Sequence, residues 1–216
     1  MSLAAAPAKV RDAEAEAVRR FVAEQFAWLT RRHPPATVIL LRVLADEYQH
    51  AAVLVKDGDV QGGHTHAEAL DRMSTDESEE LRAIRALSAQ PVWALIWWKE
   101  GDPARAIEAL MTALEAAERL ADRYGHSYLS SKRIHLAANL ARVFESTDAL
   151  ERATNWIHAL RAVVAGDSSA WPLEGSSSLA VPLQPNDRLA IETQLDRIEE
   201  RIAAKRHATA SRIASS

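Results

Sequence analysis

Residues 93–114 read WALIWWKEGDPARAIEALMTAL, and this stretch decides the fold. Three tryptophans within six residues lead into Gly101-Asp102-Pro103, after which an alanine-rich run begins. Asp102 is a favourable helix N-cap and Pro103 suits the first helical position, so the segment predicts two helices joined by a tight turn. The alternation of large and small side chains predicts that the two helices pack closely against each other.

Helical periodicity continues through most of the chain, whereas strand patterns are nearly absent. Seven glycines and eight prolines punctuate the 216 residues, mostly where helices should end. Ser74 followed by early glutamates predicts a helix N-terminus, and that helix should reach about Ala89. Pro91 then predicts a fresh start, with a separate helix that runs through Trp98.

One repeat array is predicted over residues 11–164, after a disordered N-terminus at residues 1–10. Residues 165–186 are rich in Gly, Ser and Pro and show no helical period, which predicts a long loop. A capping helix is predicted at 187–207, followed by a flexible tail at 208–216.

Composition and charge narrow the class of protein. A formal net charge of −4 argues against a general nucleic-acid binder, because phosphate binding needs a concentrated basic face. The absence of cysteine excludes disulfides and thiolate chemistry. The longest apolar runs, ATVILL and PVWALIWW, are far shorter than the roughly 20 residues that span a bilayer. The sequence therefore predicts a cytoplasmic protein with neither nucleic acid nor membrane as a partner.

A five-residue phrase recurs at a nearly constant spacing of 49, 47 and 49 residues. Its four copies are LADEY at 44–48, WALIW at 93–97, LARVF at 140–144 and LAIET at 189–193. The alanine in each phrase lets two helices approach closely. In three of the four copies a large side chain three positions later fills the space beside it, whereas LAIET has a threonine there. The repeat predicts antiparallel helix pairs that bury their apolar faces only against neighbouring pairs.

Two successive units carry large and small side chains at identical offsets over residues 90–162. The matching positions are Trp93, Ala94, Trp97, Ala106, Leu110 and Ala113 in the first unit and Leu140, Ala141, Phe144, Ala153, Ile157 and Leu160 in the second. This pattern resembles the tetratricopeptide repeat, whose first helix has W-x2-L-G-x2-Y and whose second has A-x3-F. The resemblance implies an all-α, right-handed superhelical array of antiparallel helical hairpins, with about seven or eight helices. Because the period exceeds that family's 34 residues, an array of the HEAT kind stays an alternative.

The resemblance also implies a concave groove lined by the exposed face of each first helix. Carried over position by position, the groove residues are Leu95, Trp98, Lys99, His135, Asn139 and Arg142. The implied function is non-catalytic binding of a protein or peptide, as in an adaptor, chaperone-like or regulatory protein, without a cofactor. Trp98 would be the aromatic anchor, with polar side chains around it. Trp171, in the predicted loop, should either pack onto the array or contact a partner.

Two alternatives belong to other functional classes. Glu47 and His50 have the Glu-x-x-His spacing of di-iron bundles, and with His64, His66 and Glu68 they are candidate ligands of a small helical-bundle metalloenzyme. No second Glu-x-x-His occurs, and two helical residues two positions apart point about 200° apart. The other alternative is a structural subunit that forms a homo-oligomer through its tryptophan-rich face. No nucleophile elbow, phosphate loop or zinc-protease motif is present, so the sequence does not favour an enzyme.

Overall fold

A computed structural model describes residues 8–73, 78–173 and 183–214, and within these ranges the chain is all-helical, without strands. Short 3-10 turns occur at Ser127–Leu129 and Ser168–Ala170. The eight α-helices are α1 (Ala8–Arg32), α2 (Pro35–Lys56), α3 (Val60–Asp71), α4 (Glu79–Glu100), α5 (Pro103–Tyr124), α6 (Ser130–Ser146), α7 (Leu150–Ala165) and α8 (Pro185–Ala214). The predicted all-α class is confirmed.

The turn between α4 and α5 forms as its sequence predicts. Gly101 ends α4 in the left-handed conformation at φ 83°, which glycine adopts without a steric penalty. The Asp102 carboxylate accepts a hydrogen bond of 3.1 Å from the backbone N–H of Arg105, and Pro103 occupies the first helical position. Local chemistry alone therefore fixes the point at which the hairpin reverses.

The predicted break at Pro91 is wrong, because α4 continues through it as one helix. A proline inside a helix removes one backbone hydrogen bond and strains the preceding turn. Buried side chains on both sides of it, among them Leu87, Val92 and Trp93, offset that loss through packing. The N-cap of α4 is Ser78, and the N-terminus predicted at Ser74 falls on residues 74–77, which lie outside the described residues.

Both ends of the chain are more helical than predicted. Helix α1 begins at Ala8, within the segment expected to be disordered. Helix α8 extends to Ala214, so the tail predicted at 208–216 is helical over most of its length. Its sequence RIAAKRHATASRIA is rich in alanine and basic residues, which are good helix formers. In the predicted loop at 165–186, Trp171 is buried, while residues 174–182 lie outside the described part.

The chain divides into two compact units, which we call the central unit (residues 23–136) and the terminal unit (residues 1–22 and 137–216). In the central unit, α4 packs against α2, α3 and α5, so most of its circumference is buried. In the terminal unit, α7 and α8 pack together around an aliphatic core. The core side chains there include Ile157, Leu160, Ile191, Leu195 and Ile198.

Three of the four alanines of the recurring phrase are buried. Ala94, Ala141 and Ala190 are almost completely inaccessible to solvent, while Ala45 is half-buried. Each lies in a different long helix, which is the placement that the repeat predicts. None of the described helices combines the length and apolarity needed to cross a membrane.

Candidate functional site

The central unit contains a groove of about 420 Å³ between α4 and α5. Its floor includes Ala83, Ala86 and Ala116, and methyl side chains on both helices leave this space unfilled. The lining positions follow helical spacing, so one face of each helix forms the site. Four charged side chains and one hydroxyl complete the lining, namely Glu79, Arg82, Thr112, Glu115 and Arg119.

Charges of both signs surround this apolar floor. Glu79 is held in place by Arg123 at 2.6 Å, by the hydroxyl of Tyr124 at 3.2 Å and by Arg119 at 3.8 Å. Arg82 and Glu115 are exposed on the walls, one on each helix. The groove can therefore receive an apolar side chain and offer charged partners of either sign at its rim.

The sequence-predicted binding residues of α4 lie on another face of that helix. Leu95 and Trp98 are half-buried and Lys99 is exposed, and the Lys99 ammonium lies 5.3 Å from the centroid of the Trp98 ring. This distance is that of a cation–π contact. None of the three lines the groove. At about 100° per residue, Leu95 points about 180° away from Ala86.

On α6, the predicted binding residue Asn139 is hydrogen-bonded to α8 within the terminal unit. The Asn139 carbonyl oxygen accepts hydrogen bonds of 3.1 Å from both Arg142 and Gln194. Burial lowers the pKa of the Arg142 guanidinium. Nearby, the buried Glu145 carboxylate pairs with Arg201 at 2.9 Å and with Lys205 at 3.2 Å (all in the terminal unit). The structure brings Asn139 and Arg142 together, but as part of the α6–α8 packing.

The predicted groove residues are divided between the two units. Leu95, Trp98 and Lys99 belong to the central unit together with His135, which is half-buried. Asn139 and Arg142 belong to the terminal unit.

Three of the predicted metal ligands, Glu47, His50 and His66, lie together between α2 and α3. His66 on α3 lies 2.8 Å from the carboxylate of Glu47 on α2, and the His50 ring meets the His66 ring edge-on at 5.3 Å. Across the described residues, no three His, Asp or Glu side chains converge as a metal site requires. These side chains connect α2 with α3.

His64, the other candidate histidine, turns toward α4. Its Nδ1 lies 2.6 Å from the Glu100 carboxylate, and its Nε2 lies 3.5 Å from Glu68. The His64 ring also meets the Trp93 ring edge-on at 5.2 Å. His64 and His66 thus contact different helices, as the angular argument from the sequence predicts.

Sequence reasoning missed a polar link that joins three helices. Asp71, the last residue of α3, accepts a hydrogen bond from the hydroxyl of Tyr48 on α2 and another, of 2.8 Å, from the indole N–H of Trp93 on α4. Burial and the neighbouring Asp71 raise the pKa of Tyr48 above its ordinary value. No local pattern marks an aspartate at a helix end as the partner of side chains more than twenty residues away.

A second network, also missed, is buried at the N-terminus of α4. Glu80 lies 2.7 Å from His126 Nε2, and His126 Nδ1 lies 2.8 Å from the Tyr128 hydroxyl. His126 is fully buried, and burial lowers its pKa, so the ring is neutral at pH 7. Its Nε2–H then donates to Glu80 and its Nδ1 accepts from Tyr128. These hydrogen bonds link the N-terminus of α4 to the segment between α5 and α6.

Comparisons of the chain with protein-family models, with curated proteins and with solved structures find no match. The tetratricopeptide-like arrangement therefore stays a prediction from the repeat.

Proposed function

We propose that this chain is a non-catalytic binding protein that holds a segment of a partner protein against the α4–α5 hairpin. Its helices would be arranged as hairpins in a superhelical array similar to tetratricopeptide repeats. The observation that carries the proposal is the groove of about 420 Å³, with its alanine floor and its charged walls. This volume falls within the roughly 300–1,000 Å³ typical of binding sites.

The lining chemistry favours a polypeptide over other ligands. A floor of alanine side chains permits close approach of a partner backbone or the insertion of an aliphatic side chain. Arg82 suits acidic groups on that partner and Glu115 suits basic ones, whereas Glu79 and Arg119 are paired with each other. A nucleic acid, by contrast, needs cations without interspersed carboxylates. An amphipathic segment with charges of both signs matches this site.

The α4–α5 groove and the surface implied by the tetratricopeptide resemblance would bind the partner through different residues. Trp98, with Lys99 beside it, is the anchor of the implied surface. It points about 120° away from Ala86 around α4 and lies about 18 Å further along the helix. Trp98 is not among the residues that line the groove, so the two positions belong to separate surfaces of α4. We therefore assign binding to the groove and expect Trp98→Ala to leave affinity unchanged.

Selection of peptides from a random displayed library, followed by calorimetric titration, tests the proposal. Ala86→Trp fills the floor and Arg82→Glu reverses one wall charge, and each is expected to weaken binding about tenfold or more. The matched control is Trp98→Ala, with circular dichroism to verify folding of every variant. Wild-type affinity in both groove variants, or selection of no peptide above background, would refute the assignment. Loss of binding in Trp98→Ala alone would instead assign binding to the face of α4 that carries Trp98.

A further inference from the structure

The outward face of α2 exposes large aliphatic side chains that the core does not use. Ile39 is 63% exposed, Val43 49% and Leu40 36%, whereas Leu41 and Leu44 on the opposite side are buried. Ile39 and Val43 are one helical turn apart, so they form a continuous patch with Leu40 beside them. Single exposed apolar residues are ordinary, but three within five residues on one helix indicate an interaction surface.

Opposite polar features flank this patch along the same helix. The first backbone N–H groups of α2 receive no side-chain cap, because Pro34 stands at the N-cap position. They leave the positive end of the helix dipole open at one end of the patch. At the other end, the exposed carboxylate of Asp46 lies one turn beyond Val43.

We propose that a second copy of this chain docks on this patch, with the two α2 helices antiparallel about a twofold axis near residue 41. In this register Ile39 of each copy packs against Val43 of the other. Asp46 of each copy meets the uncapped N-terminus of α2 of the other, near Ala36. Polarity reverses about the centre of the patch, which is the complementarity that a twofold interface requires.

The single cation within the patch does not oppose this arrangement. The Arg42 guanidinium lies 5.5 Å from the centroid of the Phe26 ring and 4.0 Å from its own Asp46. Its charge is therefore partly balanced within each copy, and its stem adds apolar surface at the rim. Because the patch is small for a protein interface, dimerisation is expected to be concentration-dependent, with a Kd of about 1–100 µM.

Sedimentation velocity over a concentration series is the first test. The wild-type chain should shift from monomer to dimer as concentration rises, and Val43→Asp should abolish the shift while circular dichroism is unchanged. The matched control is Val53→Asp, because Val53 is also on α2 and 41% exposed but lies outside the contact. A wild-type chain that stays monomeric up to about 1 mM, or a Val43→Asp variant that still dimerises, overturns the proposal.

Disulfide trapping tests the antiparallel register, and the natural chain contributes no cysteine. With the axis near residue 41, the two Val43 positions are offset by only about 6 Å along the helices, whereas the two Val53 positions are about 36 Å apart. Val43→Cys should therefore cross-link on oxidation and Val53→Cys should not. Equal cross-linking at both positions would indicate parallel helices, and its absence at both would exclude this pairing.

Discussion

Replacing Asp71 with alanine is expected to destabilise the central unit by about 2–4 kcal/mol. The Asp71 carboxylate is the acceptor for the Tyr48 hydroxyl and the Trp93 indole N–H, and these side chains are 1% and 6% exposed. A buried donor left without a partner costs about 1–3 kcal/mol. Two such donors would together cost about 2–6 kcal/mol. Because Asp71 lies at an exposed helix end, water can reach part of the space that truncation opens, so we expect a loss in the lower part of that range.

Urea unfolding at pH 7, followed by tryptophan fluorescence and by circular dichroism, measures this loss. Asp122→Ala is the control, since Asp122 is an exposed aspartate on α5, and it should change stability by less than about 0.5 kcal/mol. Combining Asp71→Ala with Tyr48→Phe should cost at least about 1 kcal/mol less than the sum of the two single changes. An Asp71→Ala effect as small as that of Asp122→Ala, or strictly additive single changes, would show that the link does not stabilise the fold.

Two further variants probe the remaining buried polar groups. The folded-state pKa of His126 is lowered by burial, so the unfolded chain binds the proton more readily and stability should fall as pH drops below about 6.5. His126→Gln should flatten the acid limb in urea unfolding from pH 7 to pH 5, and an unchanged slope would contradict the assignment. Glu145→Ala should cost about 1–2 kcal/mol, because its two cationic partners are one-third exposed and stay hydrated. Glu145→Ala should leave the affinity for groove-selected peptides unchanged. A loss of that affinity would show that peptide binding depends on Glu145 as well as on the α4–α5 groove.

Tyr48 predicts that the folded protein also loses stability at alkaline pH. Its pKa in the folded state is raised, so above about pH 10 the unfolded chain loses the proton first and stability declines with rising pH. Tyr48→Phe should therefore reduce the slope of that decline, by up to about 1.4 kcal/mol per pH unit. Thermal unfolding monitored by circular dichroism between pH 9 and pH 11 measures the difference, and equal slopes in the two proteins would contradict it.

The helix ends that sequence reasoning placed well are those determined by adjacent residues. The α4–α5 turn depends on Gly101, Asp102 and Pro103, whose preferences act within one turn of backbone. Continuity through Pro91 depends instead on packing against helices that are remote in sequence, and no local rule weighs that packing. Local signals therefore predicted where the hairpin turns and failed where tertiary contacts outweighed propensity.

The polar sites show the same distinction more strongly. Asp71 contacts residues 22 and 23 positions away, and Glu80 contacts His126 at a separation of 46. Such pairs leave no periodic trace, because their spacing depends on the lengths of intervening helices and loops. The angular divergence of His64 and His66 was predictable because it depends only on helix geometry.

The three tryptophans of residues 93–98 have different environments because each points in a different direction from α4. Trp93 is buried against α3 and donates its N–H to Asp71, so it stabilises the core. Trp97 stacks on Trp93 at 5.2 Å and lies under the Arg105 guanidinium at 4.1 Å, which shields its outer face. Trp98 is rotated by about 100° from Trp97, and the Lys99 ammonium lies 5.3 Å from the centroid of its ring. Sequence periodicity could assign Trp93 to the core, but whether Trp98 binds a partner depends on which face of α4 that partner occupies.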